Sequence, residues 1–217
     1  KFMNVIPAFN CLDEESLSQW IARAGEFLPP GHWVHLDISD GEFTPSLTWN
    51  NPARWQELAG QYGWNLEVHL MVESPENVVR AWFETGAMRA ILHVETITPE
   101  SLEAILRISE QYKTDVALSL GLETPIEVLR PYIRAVRYFQ VMAIIPGPSG
   151  QKFSPLALEK IKLLRALRSN AKIEVDGGIN ALTAAQCKEA GADFVVAASY
   201  IFWGSDAKGA YKELAQI

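Results

Sequence analysis

Short apolar runs alternate with longer amphipathic segments along the whole chain. The apolar runs predict strands at residues 5–9, 33–38, 66–71, 90–94, 116–120, 138–144, 173–175 and 194–197. After the first run, Leu17, Trp20 and Ile21 recur at helical spacing, which predicts a helix that begins near Asp13. Further helices are predicted at residues 52–62, 155–167, 182–190 and 207–214, and others are predicted to begin near Ser74, Pro99 and Thr124.

This alternation amounts to eight strand–helix units in 217 residues. Strands that alternate with helices predict parallel pairing through crossover helices, and eight such units predict an α/β fold, the (β/α)8 TIM barrel. We expect residues 1–217 to form a single domain, because no linker, low-complexity stretch or charge block interrupts the pattern. A doubly wound open sheet is the rival fold, but it usually has fewer strands, and no G-x-G-x-x-G fingerprint follows the first predicted strand.

The composition narrows the classes of partner. The formal net charge is −7 and no dense Lys/Arg stripe is visible, which disfavours nucleic-acid binding. No apolar run reaches membrane-spanning length, and no signal peptide is expected at the start of the chain. Cys11 and Cys187 form neither a C-x-x-C motif nor a disulfide framework, so we expect a cytoplasmic location.

Histidine and aspartate side chains stand at the ends of the predicted strands. His35 and Asp37 end the second strand, His69 lies near the end of the third, and Asp176 follows the seventh. A single strand histidine is most often a core residue, but several such residues at matching strand ends indicate one centre, since the carboxyl ends of barrel strands meet there. Two imidazoles and two carboxylates suit one divalent metal ion, Zn²⁺, Fe²⁺, Mn²⁺ or Co²⁺, and the ligand types do not choose among these.

The two acids also suit proton transfer. Asp37 and Asp176 come from strands on different sides of the predicted ring, so we expect them to flank the cavity from opposing directions. One carboxylate in such a pair can remove a proton beside a carbonyl while the other returns a proton to the opposite face. This arrangement predicts inversion of a stereocentre.

Small residues follow the last three predicted strands. Residues 146–151 follow the sixth, Gly177 and Gly178 follow the seventh, and Ala198 and Ser199 follow the eighth. TIM barrels often bind phosphate with the loops after strands seven and eight, where glycines let backbone N–H groups approach the oxygens. The positions beside Asp176 therefore favour a phosphorylated substrate.

Longer motifs surround these positions. They are His35-Leu36-Asp37, Asp40-Gly41-Glu42-Phe43-Thr44-Pro45, Glu67-Val68-His69-Leu70-Met71-Val72, Leu92-His93-Val94-Glu95, Val141-Met142, Pro146-Gly147, Gly150-Gln151-Lys152-Phe153 and Ile173-Glu174-Val175-Asp176-Gly177-Gly178-Ile179-Asn180. With these motifs the chain resembles the ribulose-phosphate 3-epimerase family over nearly its whole length and in unchanged order. The resemblance implies a barrel enzyme that interconverts D-ribulose 5-phosphate and D-xylulose 5-phosphate with one divalent metal ion, and it suggests a homo-oligomer.

The resemblance also implies roles for single residues. His35, Asp37, His69 and Asp176 correspond to the metal ligands, and Asp37 and Asp176 also correspond to the acid–base pair. The substrate-binding positions that it implies are Ala8, Met71, Met142, Gly147, Gly150, Gly177, Gly178, Ala198 and Ser199. The two methionines match family methionines that cover the enediolate.

The chain departs from the family pattern around the pocket. Ala8 stands where a serine is common, Ser39 where a methionine is common, Ile145 in place of an asparagine, and Ala198 in place of a glycine. Residues 147–150 replace a more glycine-rich loop. These changes leave the predicted metal centre intact and leave the identity of the sugar open.

Three alternatives remain from the sequence. The first is a 3-epimerase of another ketose phosphate, such as D-allulose 6-phosphate, and the second is a non-catalytic sugar-phosphate-binding paralogue. The third is a sugar-phosphate lyase, which is disfavoured because such barrels typically place a lysine among these acids and residues 35–43 contain none.

Overall fold

The computed structural model describes residues 2–217 and forms a closed barrel of parallel strands. The strands follow chain order around the ring, and β1 pairs with both β2 and β8. The strands are β1 (Asn4–Phe9), β2 (Trp33–Ser39), β3 (Asn65–Met71), β4 (Arg89–His93), β5 (Asp115–Leu120), β6 (Tyr138–Met142), β7 (Lys172–Asp176) and β8 (Phe194–Ala197). The predicted α/β barrel is therefore confirmed.

The α-helices lie in the connections between successive strands, except for the last two, which follow β8. In the described chain they are α1 (Glu14–Gly25), α2 (Pro52–Ala59), α3 (Val79–Glu84), α4 (Pro99–Tyr112), α5 (Leu156–Leu167), α6 (Ala181–Ala190), α7 (Ser199–Phe202) and α8 (Ala207–Ala215). Several helices begin at a capping side chain, as the Asp13 carboxylate accepts from the Ser16 amide at 2.8 Å. In residues 2–217 no helix is long and apolar enough to cross a bilayer.

At two predicted helix starts the structure has a 3-10 helix instead of an α-helix. The segment after Ser74 forms a short 3-10 helix, Pro75–Asn77, before α3 begins at Val79. The connection from β5 to β6 contains only a 3-10 helix, Ile126–Leu129. The Thr124 hydroxyl, which the spacing predicts as a cap, instead donates to Glu95.

Pro131 explains why the connection from β5 to β6 holds no α-helix. A proline has no N–H for a helical hydrogen bond, and its ring clashes with the carbonyl four residues earlier. The units therefore do not each carry one α-helix, and the segment that follows β8 contains both α7 and α8.

The barrel wall separates an apolar layer from a polar interior. Outward-facing strand side chains such as Leu36 and Phe139 pack with the helices in the main hydrophobic core. Ile6, Ala8 and Val196 form a small apolar cluster in the interior. Buried polar side chains are frequent on the strands: His35, Asp37, Ser39, Glu67, His69, Arg89, His93, Ser119, Gln140 and Glu174.

Candidate active site

The predicted metal-binding residues meet at the carboxyl ends of the strands. His69 Nδ1 lies 3.0 Å from Asp37 Oδ1 and 3.4 Å from Asp176 Oδ2. His35 Nε2 lies 3.1 Å from the same Asp37 oxygen. One potential ligand atom from each of the four residues lies within 4.8 Å of the others. Two imidazoles and two carboxylates at this separation fit one divalent metal ion.

The strand register explains this convergence. Asp37 of β2 is the register partner of His69 on β3, and Met142 of β6 is the partner of Asp176 on β7. His35 lies two residues before Asp37, so its side chain points to the same side of β2. The barrel then brings β7 within reach of β2 and β3 across its mouth, which no spacing within one strand could do.

The acidic and imidazole side chains of this cluster stabilise one another's charged forms. Burial disfavours the charged carboxylate of Asp37, but hydrogen bonds from His35 and His69 outweigh it and hold its pKa well below the ordinary value. Burial likewise disfavours the charged form of His35, but Asp37 and Glu67 raise its pKa well above the ordinary value. The pKa of His69 is raised in the same way by Asp176 and Asp37. Metal binding would displace these protons, because ligands bind metal in their deprotonated forms.

Each histidine is also held from behind by its other ring nitrogen. His35 Nδ1 lies 2.8 Å from Glu67 Oε1, and His69 Nε2 lies 2.9 Å from His93 Nε2. His93 Nδ1 in turn lies 3.3 Å from Glu95 Oε2. Because the carboxylate can only accept, His93 donates from Nδ1 and accepts at Nε2, which leaves His69 Nδ1 directed at the acids. Such outer partners are typical of metal-binding histidines, since they orient the ring and set its tautomer.

A second polar layer lies beneath the cluster in the barrel interior. Arg89 Nη1 lies 2.7 Å from Glu67 Oε2 and 3.9 Å from Glu174 Oε2. The guanidinium also lies 4.3 Å from the Trp33 ring centroid and 3.9 Å from that of Tyr138. Burial and the charge of Glu67 raise the pKa of Glu174 to about 8.

This lower layer contains a second group of potential ligands, since His35, Glu67 and Glu174 also lie close together. Arg89 supplies the positive charge there, so the layer is already neutralised by the protein. Sequence analysis assigned no role to Glu67, Arg89 or Glu174. Their signal was the spacing of Glu67 and Glu174 two residues before His69 and Asp176, which places each pair on one side of its strand.

The cluster opens into a cleft at the mouth of the barrel. The lining residues are Asn10, Asp37, Met71, Met142, Ile144, Gly147, Ser149, Gly150, Asp176, Gly177, Gly178, Ile179, Val196, Ala198 and Ser199. All predicted substrate positions except Ala8 lie in this lining. Ala8 packs with Ile6 and Val196 inside the barrel instead. Asn10, two residues further along and at the end of β1, lines the cleft although sequence analysis did not select it.

Glycine is required at one wall of this cleft. Gly178 has a backbone φ of +65°, and a Cβ atom there would lie 2.5 Å from the backbone nitrogen of Phe153. A side chain would therefore have to displace main chain, not a flexible side-chain tip. The close packing holds the loop after β7 against the segment that precedes α5.

The residues that depart from the family pattern do not all line the cleft. Ala198 lines the cleft, whereas Ile145 is largely exposed near its edge. The hydroxyl of Ser39 lies 3.9 Å from the sulfur of Met71, which is itself a lining residue. The cleft therefore differs from the family pattern in its walls while its acids and histidines are retained.

A closed parallel barrel with a cleft and an acid–histidine cluster at the carboxyl ends of its strands is the arrangement of a TIM-barrel enzyme. The family model described as "Ribulose-phosphate 3 epimerase family" matches residues 15–202. The chain therefore belongs to the ribulose-phosphate 3-epimerase family, whose members are isomerases that act on carbohydrates.

Curated relatives agree with this family assignment. The ribulose-phosphate 3-epimerase of Chlamydia muridarum is 37% identical over 175 residues, which cover 78% of this chain and 75% of that protein. The cytoplasmic isoform of ribulose-phosphate 3-epimerase from Oryza sativa subsp. japonica is 36% identical, with 80% and 77% covered. The ribulose-phosphate 3-epimerase of Bacillus subtilis is 33% identical, with 83% and 84% covered.

Solved structures support the fold alone. A 3-hexulose-6-phosphate synthase from Salmonella typhimurium superposes with a TM-score of 0.77 at 16% identity, covering 99% of this chain and 97% of that one. An orotidine 5'-monophosphate decarboxylase from Sulfolobus solfataricus gives a TM-score of 0.67 at 13% identity, with 98% and 96% covered.

Proposed function

We propose that this protein is a metal-dependent 3-epimerase of a ketose phosphate, with D-ribulose 5-phosphate and D-xylulose 5-phosphate as its substrate pair. The observation that carries the proposal is the meeting of His35, Asp37, His69 and Asp176 beside a cleft, in a chain of this family. A single divalent ion, Zn²⁺, Fe²⁺, Mn²⁺ or Co²⁺, would be held by these residues. When bound, it would supply stabilisation for negative charge that develops on the substrate oxygens.

The two aspartates carry the proton transfers in this proposal. One carboxylate takes the proton from carbon 3 of the ketose, and the electron pair of that C–H bond moves into the adjacent carbonyl to form an enediolate. The other carboxyl group gives its proton to the opposite face of carbon 3, the carbonyl re-forms, and the configuration at carbon 3 inverts. Asp37 and Asp176 suit these roles because both line the cleft and both contact His69 Nδ1.

The cleft supplies groups for the rest of the substrate. Met71 and Met142 line it beside the aspartates and would cover the enediolate from water. Gly177, Gly178 and Ser199 line it at the ends of β7 and β8, where backbone N–H groups would bind the phosphate. We expect Gly147, Gly150 and Ala198 to contact the sugar phosphate as well.

The test is an epimerisation assay with D-ribulose 5-phosphate in deuterium oxide. The metal-free protein is assayed after addition of each candidate metal ion in turn. We expect conversion to D-xylulose 5-phosphate, with deuterium incorporated at carbon 3 because a proton leaves and another returns. Chelation should remove the activity and a divalent ion should restore it. Full turnover by protein shown to contain no metal would contradict the metal role, and absence of turnover with every metal would leave a binding paralogue as the better description.

The acid–base pair is tested by substitution. We expect Asp37→Asn and Asp176→Asn each to lower kcat by about 10²- to 10⁴-fold, the usual contribution of general acid–base catalysis. Asp115→Asn is the matched control, because Asp115 is exposed at the amino end of β5. Circular dichroism and metal content should be measured for each variant, and turnover equal to the parent in either active-site variant would contradict the assignment.

A second candidate is a 3-epimerase of another ketose phosphate, such as D-allulose 6-phosphate. The observation in its favour is the altered wall of the cleft, which contains Ala198 and Ser149. Measurement of kcat/KM for both sugar phosphates would decide between the two candidate substrates. A higher kcat/KM for the hexulose phosphate would identify it, and not the pentulose phosphate, as the substrate.

We further propose a cytoplasmic, homo-oligomeric enzyme. The relative from rice is named a cytoplasmic isoform, and both cysteines here are buried and unpaired in the described structure. Light scattering of the purified protein would measure the mass, and a monomer would contradict the proposed assembly.

A further inference from the structure

The two oxygens of Asp37 have different partners. Oδ1 faces the imidazoles of His35 and His69, at 3.1 and 3.0 Å. Oδ2 accepts a hydrogen bond of 2.8 Å from the side-chain amide of Asn10. Asn10 therefore holds the oxygen that the histidines do not.

The same amide group reaches a third segment of the chain. Asn10 Nδ2 also donates to the carbonyl oxygen of Gly147 at 3.2 Å. Gly147 lies in the loop after β6, and both Asn10 and Gly147 line the cleft. One side chain at the end of β1 thus connects the end of β2 with one wall of the cleft, the loop of residues 145–151.

The chemistry of the partners determines the orientation of this amide. A peptide carbonyl and an ionised carboxylate can only accept hydrogen bonds, and an amide NH2 group has two hydrogens to donate. The NH2 group of Asn10 must therefore face both acceptors. A leucine of similar size could fill the space but could donate to neither.

We propose that Asn10 is a positioning residue, which fixes the plane of the Asp37 carboxylate and ties the loop of residues 145–151 to it. This inference rests on the proposed function for its kinetic consequence, because Asp37 is there a proton-transfer group and a metal ligand. A carboxylate held at one oxygen only can rotate about its last side-chain bond, whereas one held at both oxygens presents a constant geometry.

The first measurement separates kcat from KM. We expect Asn10→Leu to lower kcat for D-ribulose 5-phosphate by about 10- to 100-fold, in the range found for residues that orient ligating groups. KM should change by a smaller factor than kcat, because the variant leaves the backbone at Gly177 and Gly178, which is proposed to bind the phosphate, unchanged. Asn10→Gln, which retains the NH2 group on a longer side chain, should recover part of the lost kcat.

The second and third measurements do not depend on activity. Competition with a fluorescent chelator should show about 10-fold weaker Zn²⁺ binding by Asn10→Leu, because a ligand carboxylate has lost its support. Hydrogen–deuterium exchange of the peptide 145–154 should be about threefold faster or more, because the loop has lost its tie to Asn10. Asn50→Leu is the matched control, since Asn50 is exposed and the same substitution there should change neither quantity.

The outcomes are distinguishable. If the parent protein epimerises and Asn10→Leu retains its kcat and Zn²⁺ affinity, the positioning of Asp37 is overturned. If loop exchange in Asn10→Leu equals that of the parent, the tie to the loop is overturned. If the parent does not epimerise, the proposed function fails, while weaker Zn²⁺ binding and faster loop exchange in the variant would still support the inference.

Discussion

Arg89 shows how much a single buried residue depends on its tertiary neighbours. Its guanidinium lies in the barrel interior between Trp33 and Tyr138 and beside Glu67 and Glu174. The sequence does not predict that this arginine is buried, because most arginines in proteins are exposed. The histidines and aspartates of the candidate site were selected because they lie at or near predicted strand ends, which meet at one mouth of a barrel.

Replacement of this buried cation should be costly. We expect Arg89→Met to lower the free energy of unfolding by about 3–5 kcal/mol, because the variant leaves Glu67 Oε2 buried without its cationic partner. The measurement is urea denaturation followed by tryptophan fluorescence at neutral pH.

The matched control for that substitution lies on the surface. Arg107→Met breaks an exposed ion pair with Glu103, and such pairs contribute about 0–1 kcal/mol. An equal decrease in the free energy of unfolding of the two variants would show that the buried Arg89 contributes no more to stability than a surface ion pair does.

At the scale of elements, the β4 and β5 ends are joined by one carboxylate. Glu95 lies just after β4 and accepts a hydrogen bond of 2.8 Å from the Gly121 amide, as well as one from the Thr124 hydroxyl. Burial acts against its charge, but hydrogen bonds from His93 and Thr124 outweigh it and lower the pKa of Glu95 to about 2. The helix that the spacing predicts at Thr124 is absent partly because this hydroxyl is used here.

This lowered pKa predicts a dependence of stability on pH. The native pKa lies below the ordinary value of 4.5, so the native state favours the ionised form and Glu95 stabilises the fold above about pH 4.5. We expect Glu95→Gln to lower the free energy of unfolding by about 2–3 kcal/mol at pH 7. The difference between parent and variant should shrink as the pH falls from about 4.5 toward 3, because the unfolded state then binds a proton at Glu95 that the native state does not.

The check is a series of urea titrations between pH 7 and pH 3. Glu110→Gln is the control, because Glu110 is exposed at the end of α4 and its replacement should give a small, nearly constant difference. A difference for Glu95→Gln that stays constant over this pH range would contradict the role of its charge.

At the scale of the whole molecule, the candidate metal centre exists only in the closed barrel. Its ligands come from β2, β3 and β7, and β7 reaches the other two across the mouth of the ring. A metal ion that binds this centre therefore binds the folded chain in preference to the unfolded one, and it should stabilise the fold.

Zinc binding should accordingly raise stability. At a free Zn²⁺ concentration about 100 times the Kd, we expect the free energy of unfolding to rise by about 2.7 kcal/mol. Thermal denaturation with Zn²⁺, with chelator and with Ca²⁺ measures the effect. In Asp176→Asn most of the stabilisation by Zn²⁺ should be lost. If Zn²⁺ stabilises that variant as much as the parent, the ion binds elsewhere.

The alternation of apolar runs and amphipathic segments was enough to predict the barrel, because parallel strands need crossover helices and eight such units close a ring. The same pattern did not predict which connections hold an α-helix, since after β5 Pro131 and a tertiary contact between Thr124 and Glu95 oppose one. That residues 1–217 form one domain stays a prediction.

The sequence by itself determined the fold class through its periodicity and the family through its motifs, and strand-end positions indicated the candidate site residues, because all of these are local properties. Only the tertiary structure decided which groups support them: Glu67 and Arg89 beneath His35, His93 behind His69, and Asn10 on Asp37. The physical reason is that these contacts join different strands. Their distances depend on register and closure of the barrel, which no spacing along the chain records.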